Sequence, residues 1–237
     1  MKISIVNRNC DFDKHFLISE STNGSIEIHF CFDRIVTSQS KKKIRESLTQ
    51  LISRELQKFK WLIVGKVQIE IDWFIDSITK QETDKIGDLD NITKPFLDIL
   101  CGEDGILVDD SQINSMHTSW TSKNSSVKGN RATLKIYFNN DCAIFKQDLC
   151  FFQISEVVYT PINFKLDNKQ DVKAIKILLD SIRERRKDSE NLNHRDFDII
   201  GQYLIRSEYI FHRTRLNGFS KEKIISKLQS DKMLDNL

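Results

Sequence analysis

Asp88-Leu89-Asp90-Asn91-Ile92-Thr93-Lys94-Pro95-Phe96-Leu97-Asp98-Ile99-Leu100, followed by Cys101 and Gly102, is the stretch on which the reading of the fold turns. Thr93 reads as an N-cap, and Pro95 then falls at the second helical position, where its missing N–H costs no helical hydrogen bond. Gly102 stands where a left-handed residue ends a helix. A short helix is therefore predicted, with Asp88 to Asn91 in the extended segment leading into it. Upstream, Val67, Ile69, Ile71, Trp73 and Ile75 alternate with polar residues, the period of a half-buried strand. Downstream, Ser111 to Trp120 is a further strand candidate.

Outward from this unit the same periods continue. Ile26, Ile28, Phe30 and Phe32 mark a strand over Ser25 to Phe32. Ile44, Leu48, Leu51, Ile52 and Leu56 recur at helical spacing, predicting an amphipathic helix within Ser38 to Phe59 with Lys41, Lys42, Lys43 and Arg45 on its exposed face. Ala132 to Phe138 is another strand candidate, and the polar stretch Thr121 to Asn130 reads as a hairpin loop before it. Beyond about Asn140 the character changes. Phe145 to Thr160 is apolar and reads either as an extra strand or as a segment packed across the first domain. No strand signal is read from Asn168 onward. Helices are expected through Val172, Ile175, Leu178, Leu179 and Ile182; through Phe197, Ile200, Leu204 and Phe211; and from a Ser220 cap through Ile224, Ile225 and Leu228. The expected class is α+β: a small mixed or antiparallel sheet with two packed helices over residues 1–145, then a mainly helical extension over 146–237.

Composition narrows the function. The chain has 237 residues, 39% hydrophobic and 30% charged, a globular balance. It contains neither G-x-x-x-x-G-K nor G-x-G-x-x-G, so the common phosphate loops are absent. No apolar run approaches the roughly 20 residues of a membrane span. Ile3 to Val6 is too short an apolar stretch for a signal peptide, so a cytoplasmic protein with no membrane partner is expected. Five cysteines without a C-x-x-C read as reduced thiols, with a Cys142/Cys150 zinc half-site the lesser reading.

Net charge is only +2, so attraction to a polyanion has to be local. Glu82 to Asp110 holds nine acids against Lys85 and Lys94, a local −7, while Ser111 to Asn140 has no acid and carries +4. In extended chain, residues two apart share a face, so Asp88 and Asp90 would stand side by side and repel unless a cation offsets them. Asp110 opens the next strand, and a helix folding back would bring it beside them. Three carboxylates leave room for water and a phosphate oxygen, as magnesium prefers. Such a metal would polarise a scissile phosphate and make a hydroxide available. Lys94 lies four residues before Asp98; it reads as a plain surface pair or as an ammonium reaching toward the carboxylates. Asp109 reads as a solvated or outer carboxylate facing away from Asp110, and Asn91 as a residue that hydrogen-bonds its loop. His117, His29 and His212 have no partner pattern.

Asp88-x-Asp90-Asn91, Lys94, Asp98-x-Leu100 and Asp109-Asp110-x-Gln112-Ile113 together resemble the RusA-type Holliday junction resolvases, over roughly Ser25 to Asn140. The resemblance implies a homodimeric, magnesium-dependent endonuclease that cuts branched DNA, chiefly the four-way junction, in recombination or repair, with manganese as a substitute metal. It assigns the metal ligands to Asp88, Asp90 and Asp110 and a catalytic lysine to Lys94. The chain departs from the family in its length, in having no proline before Pro95, and in Gly87 where a basic residue often precedes the D-x-D. The alternative is a DNA-structure-binding or adaptor protein that keeps the fold without cleaving. The helices after Phe145 fall outside the match; their basic residues suit a DNA or protein partner, and Asn217 to Leu228 faintly resembles part of a helix-turn-helix.

Overall fold

The computed structural model describes residues 2–8, 23–32, 35–78, 87–123, 129–139, 142–163, 165, 168–190 and 209–235. Two compact units are present, Met1–Ala143 and Ile144–Leu237. The α+β class read from the sequence is the one observed.

In the first unit β1 (Lys2–Arg8), β2 (Asn23–Phe32), α1 (Lys42–Leu56), β3 (Trp61–Ile63), β4 (Val67–Asp76), α2 (Leu89–Leu100), β5 (Ile113–Lys123) and β6 (Asn130–Asn139) follow in chain order. Five of the strands form one mixed sheet in the order β1-β2-β6-β4-β5. Only β4 and β5 run parallel; the other neighbours are antiparallel. The alternating apolar residues of β2, β4 and β6 bury one face, each of them 4% exposed or less. Leu48, Ile52 and Leu56 of α1 are buried, while Leu51 is 44% exposed, so the apolar stripe of this helix is narrower than the sequence suggests. Phe96 of α2 stands edge-on to Phe30, Phe32 and Trp73 at centroid distances of 5.2, 5.5 and 5.0 Å, seating that helix on β2 and β4.

Two local expectations are corrected. The stretch from Thr121 to Asn130 is not a hairpin loop, because β4 lies between β5 and β6. β6 carries the alternating apolar residues that a central position rewards, whereas β5 is exposed from Asn114 to His117 and loses little at an edge. The helix also begins five residues earlier than expected. Asp88 is its N-cap and Pro95 lies in its interior, so Asp90 and Asn91 are helical rather than extended.

A short strand, β7 (Ala143–Phe145), spans the boundary between the units. The second unit continues with β8 (Leu149–Gln153), β9 (Val158–Asn163), α3 (Lys169–Glu190), β10 (Phe211–His212), β11 (Ile224–Ile225) and α4 (Lys227–Asp235). Its sheet has the order β10-β9-β8-β11. Phe152 and Ile154 pack with Ile175, Leu179 and Ile182 of α3 and with Ile225. Leu178, placed on the apolar stripe from the sequence, is 42% exposed. Among the described residues strands do occur beyond Asn168: two short ones, too brief for a period-two signal. Phe211 pairs with Tyr159 instead of ending a helix, and Ile224 and Ile225 pair with Phe151 and Phe152, so the last helix starts at Lys227 and not after Ser220. The expected helix through Phe197, Ile200 and Leu204 lies outside the described residues.

Candidate active site

α2 divides its residues sharply. Ile92, Thr93, Pro95, Phe96, Leu97, Ile99 and Leu100 are buried, and Asp90, Lys94 and Asp98 form an exposed stripe at a spacing of four. Thr93, read from the sequence as a cap, is buried and accepts a hydrogen bond from Trp73 Nε1 at 3.3 Å. Lys94 Nζ donates to Asp98 Oδ1 at 2.8 Å and to Asp110 Oδ2 at 2.9 Å. Lys94 thus forms the surface pair along its own helix and also reaches the carboxylate at the entrance to β5. The hydrogen bond to Asp98 first, and that to Asp110 next, hold the ammonium well above its ordinary pKa.

The start of β5 meets α2 beside Lys94. Asp88 lies six residues before Lys94, about 9 Å along the axis at 1.5 Å per residue. Among the described residues no three His, Cys, Asp or Glu side chains form a group that could hold a metal ion. The donor chemistry nonetheless suits a hard cation. Asp88, Asp90 and Asp110 offer only carboxylate oxygens, Asp88 makes no capping hydrogen bond, and Asp90 is exposed.

An interior proline removes the hydrogen bond to the carbonyl four residues back. For Pro95 that carbonyl belongs to Asn91, and it accepts instead from the Ser38 N–H at 2.8 Å. Asn91 Oδ1 also accepts from the Ser38 hydroxyl at 2.5 Å. This double bond pair straps the turn at residues 37–40 to the first turn of α2, and the strap runs directly into the exposed Lys41, Lys42 and Lys43. Asn91 does fix a loop, as the sequence suggests, but the loop is one 53 residues away. Gly87 has φ +71°, a left-handed conformation that a longer side chain enters only with strain. A basic residue at this position before the D-x-D would meet that strain.

Asp110 is held from the other side. Asp109 caps a short 3-10 turn over Asp110–Gln112, its Oδ1 accepting from the Ser111 N–H at 3.0 Å; the carboxylate expected to be solvated is a cap. Gln112, 5% exposed, satisfies both ends of its amide. Its Oε1 accepts from the N–H groups of Val108 and Asp109 at 2.7 and 3.0 Å, and its Nε2 donates to the carbonyls of Ile63 and Gly65 at 2.9 and 2.7 Å. The sequence reading assigned Gln112 no role, although Asp followed three residues later by Gln is a capping-box spacing. Burial, with the carboxylates of Asp109, Asp110 and Asp98 adding to it, pushes the Cys101 thiol up to about 12. His117 is exposed on β5, His29 contacts Thr133 and Glu27, and His212 caps a 3-10 turn of the second unit.

An exposed acid–lysine–acid stripe joined to a third, braced carboxylate thus stands on a mixed-sheet α+β scaffold. The family model of Endodeoxyribonuclease RusA matches residues 23–141, half of the chain, and the chain belongs to that family of nucleases acting on branched DNA. No curated protein matches it. The match covers the strands, both helices and the braced turn that build the site, and leaves out the second unit. No helix among the described residues is long and apolar enough to cross a membrane.

Proposed function

We propose that the chain is a magnesium-dependent, structure-specific endodeoxyribonuclease that resolves four-way DNA junctions as a homodimer. The observation that carries this reading is Lys94 bridging Asp98 and Asp110 on a helix whose first turn holds Asp88 and Asp90. Asp88, Asp90 and Asp110 would hold the cation, with manganese able to replace magnesium. Bound there, a divalent cation supplies Lewis acidity at the scissile phosphate and a water of lowered pKa. Lys94 keeps its proton throughout the physiological range and offers a fixed positive charge to the oxygens that gain charge during phosphodiester cleavage. Asp98 aims the ammonium. The positive end of α2 lies at Asp88 and favours both the carboxylates and an approaching phosphate. A four-way junction is two-fold symmetric and needs two matched cuts, which a C2 dimer supplies.

The test is cleavage of four-way, forked and linear duplexes with and without magnesium, by the wild type and by Asp88→Asn, Asp90→Asn and Asp110→Asn. Cutting confined to branched substrates, dependent on magnesium and lost in each variant while junction binding persists, supports the reading. A variant that cuts at the wild-type rate removes that residue from the ligand set. Equal cutting of all three substrates reduces the protein to a general nuclease, and binding without cutting by the wild type establishes the adaptor reading instead.

A further inference from the structure

The second unit lies outside the residues matched by the nuclease family, 23–141. Within it the chain leaves β10 at one edge of the four-stranded sheet and returns as β11 at the other. The crossover between them is built, not slack. Leu216 and Phe219 are buried, 0% and 8% exposed, and the Phe219 ring stands 4.6 Å from that of Phe151. The Arg213 N–H donates to the Val157 carbonyl at 2.7 Å, the Thr214 N–H to His212 Nδ1 at 3.3 Å, and the Lys223 N–H to the Ser220 carbonyl at 3.1 Å.

On this anchored backbone the charge is one-sided. Phe211 to Lys227 contains Arg213, Arg215, Lys221, Lys223 and Lys227 against Glu222 alone, +4 in seventeen residues of a chain whose total is +2. Arg213, Arg215, Lys221 and Lys227 are exposed. The neighbouring helix α3 differs in kind: its seven bases stand among five acids. Exposed like charges repel one another, and a polyanion with regularly spaced charges relieves that repulsion while releasing its own counterions. Cations held on a folded backbone lose less freedom on binding than those on a loose tail.

We propose that the crossover from Arg213 to Lys227 is a second DNA-binding surface, one that grips the phosphodiester backbone of a duplex without reading its sequence. It is built from other residues than the carboxylate–lysine site and does not depend on the cleavage reading. The full chain binds a labelled duplex in EDTA, where no cutting occurs, and affinity is measured from about 50 to 200 mM salt. Neutralising Arg213, Arg215 and Lys221 together to Gln removes three phosphate contacts. The slope of log affinity against log salt should fall by about 0.9 per contact, roughly 2.7 in all. The affinity deficit of the variant should therefore shrink about 40-fold across that fourfold rise in salt. Glu222→Gln, which removes the one acid, should tighten binding in the same assay. Far-UV circular dichroism checks that each variant keeps its fold. Unchanged affinity and slope in the folded triple variant overturn the proposal, as does a deficit independent of salt.

Discussion

Replacing Gln112 tests whether the site is braced as described. In Gln112→Ala the carbonyls of Ile63 and Gly65 lose their donor and the N–H groups of Val108 and Asp109 lose their acceptor. A buried polar group left without a partner costs about 1–3 kcal/mol. Four groups would set an upper limit of about 12 kcal/mol, but Asp109 is only half-buried, and water entering the vacated space repairs part of the loss. A destabilisation of about 3–5 kcal/mol is expected, read as a shift of the urea midpoint at unchanged slope. Gln112→Glu should be comparably harmful by another route. It keeps an acceptor for the two N–H groups but turns a carboxylate oxygen toward two carbonyls that need a donor. The turn that carries Asp110 would lose its brace in both variants, so cleavage should fall more steeply than folded protein does. A Gln112→Ala protein within about 1 kcal/mol of the wild type would refute the four-bond bracing.

Lys94→Ala is expected to lose most of the cleavage rate while junction binding persists, and Lys94→Arg to recover only part of it, because a planar guanidinium cannot replace a compact ammonium between Asp98 and Asp110; wild-type turnover in Lys94→Ala would leave only a surface ion pair. In Gly105→Ala the added Cβ would lie 2.1 Å from the Leu100 carbonyl oxygen, which is backbone and cannot swing aside. The loop between α2 and Asp110 must then shift, at a cost of about 1–3 kcal/mol or more, visible as a lowered denaturation midpoint. The Cys101 thiol, its pKa raised from 9.0 to about 12, should resist alkylation near neutral pH until the protein unfolds. Because the folded state holds that proton more tightly, its contribution to stability is complete below about 9 and is lost as pH climbs toward 12. Cys101→Ala should flatten the alkaline decline in denaturation midpoint, and a decline as steep as the wild type's would assign it to other groups.

Much of the first unit was legible because its signals are local. Alternation at Ile26 to Phe32 and at Val67 to Ile75 can bury only one face of a strand, and the four-residue spacing of Lys94 and Asp98 on a helix gives their ion pair directly. What the sequence could not order was the sheet. The neighbours of a strand are chosen by competition for burial among segments far apart in the chain, and by that competition β4 came to lie between β5 and β6, with β5 at the edge. The start of α2 was hidden for the same reason. Local rules put Pro95 near a helix N-terminus, yet a partner 53 residues upstream, Ser38, takes up the Asn91 carbonyl that the proline leaves without a donor and so lets the helix begin at Leu89. The two-residue strands β10 and β11 were equally out of reach, since pairing so short leaves no period and exists only because Tyr159 and Phe151 are there to receive it. By itself the sequence determined which acids and which lysine stand in the motif and how far apart they lie along the chain. The tertiary structure decided which of them meet, because a hydrogen bond or ion pair between distant residues depends on the packing that brings them within reach.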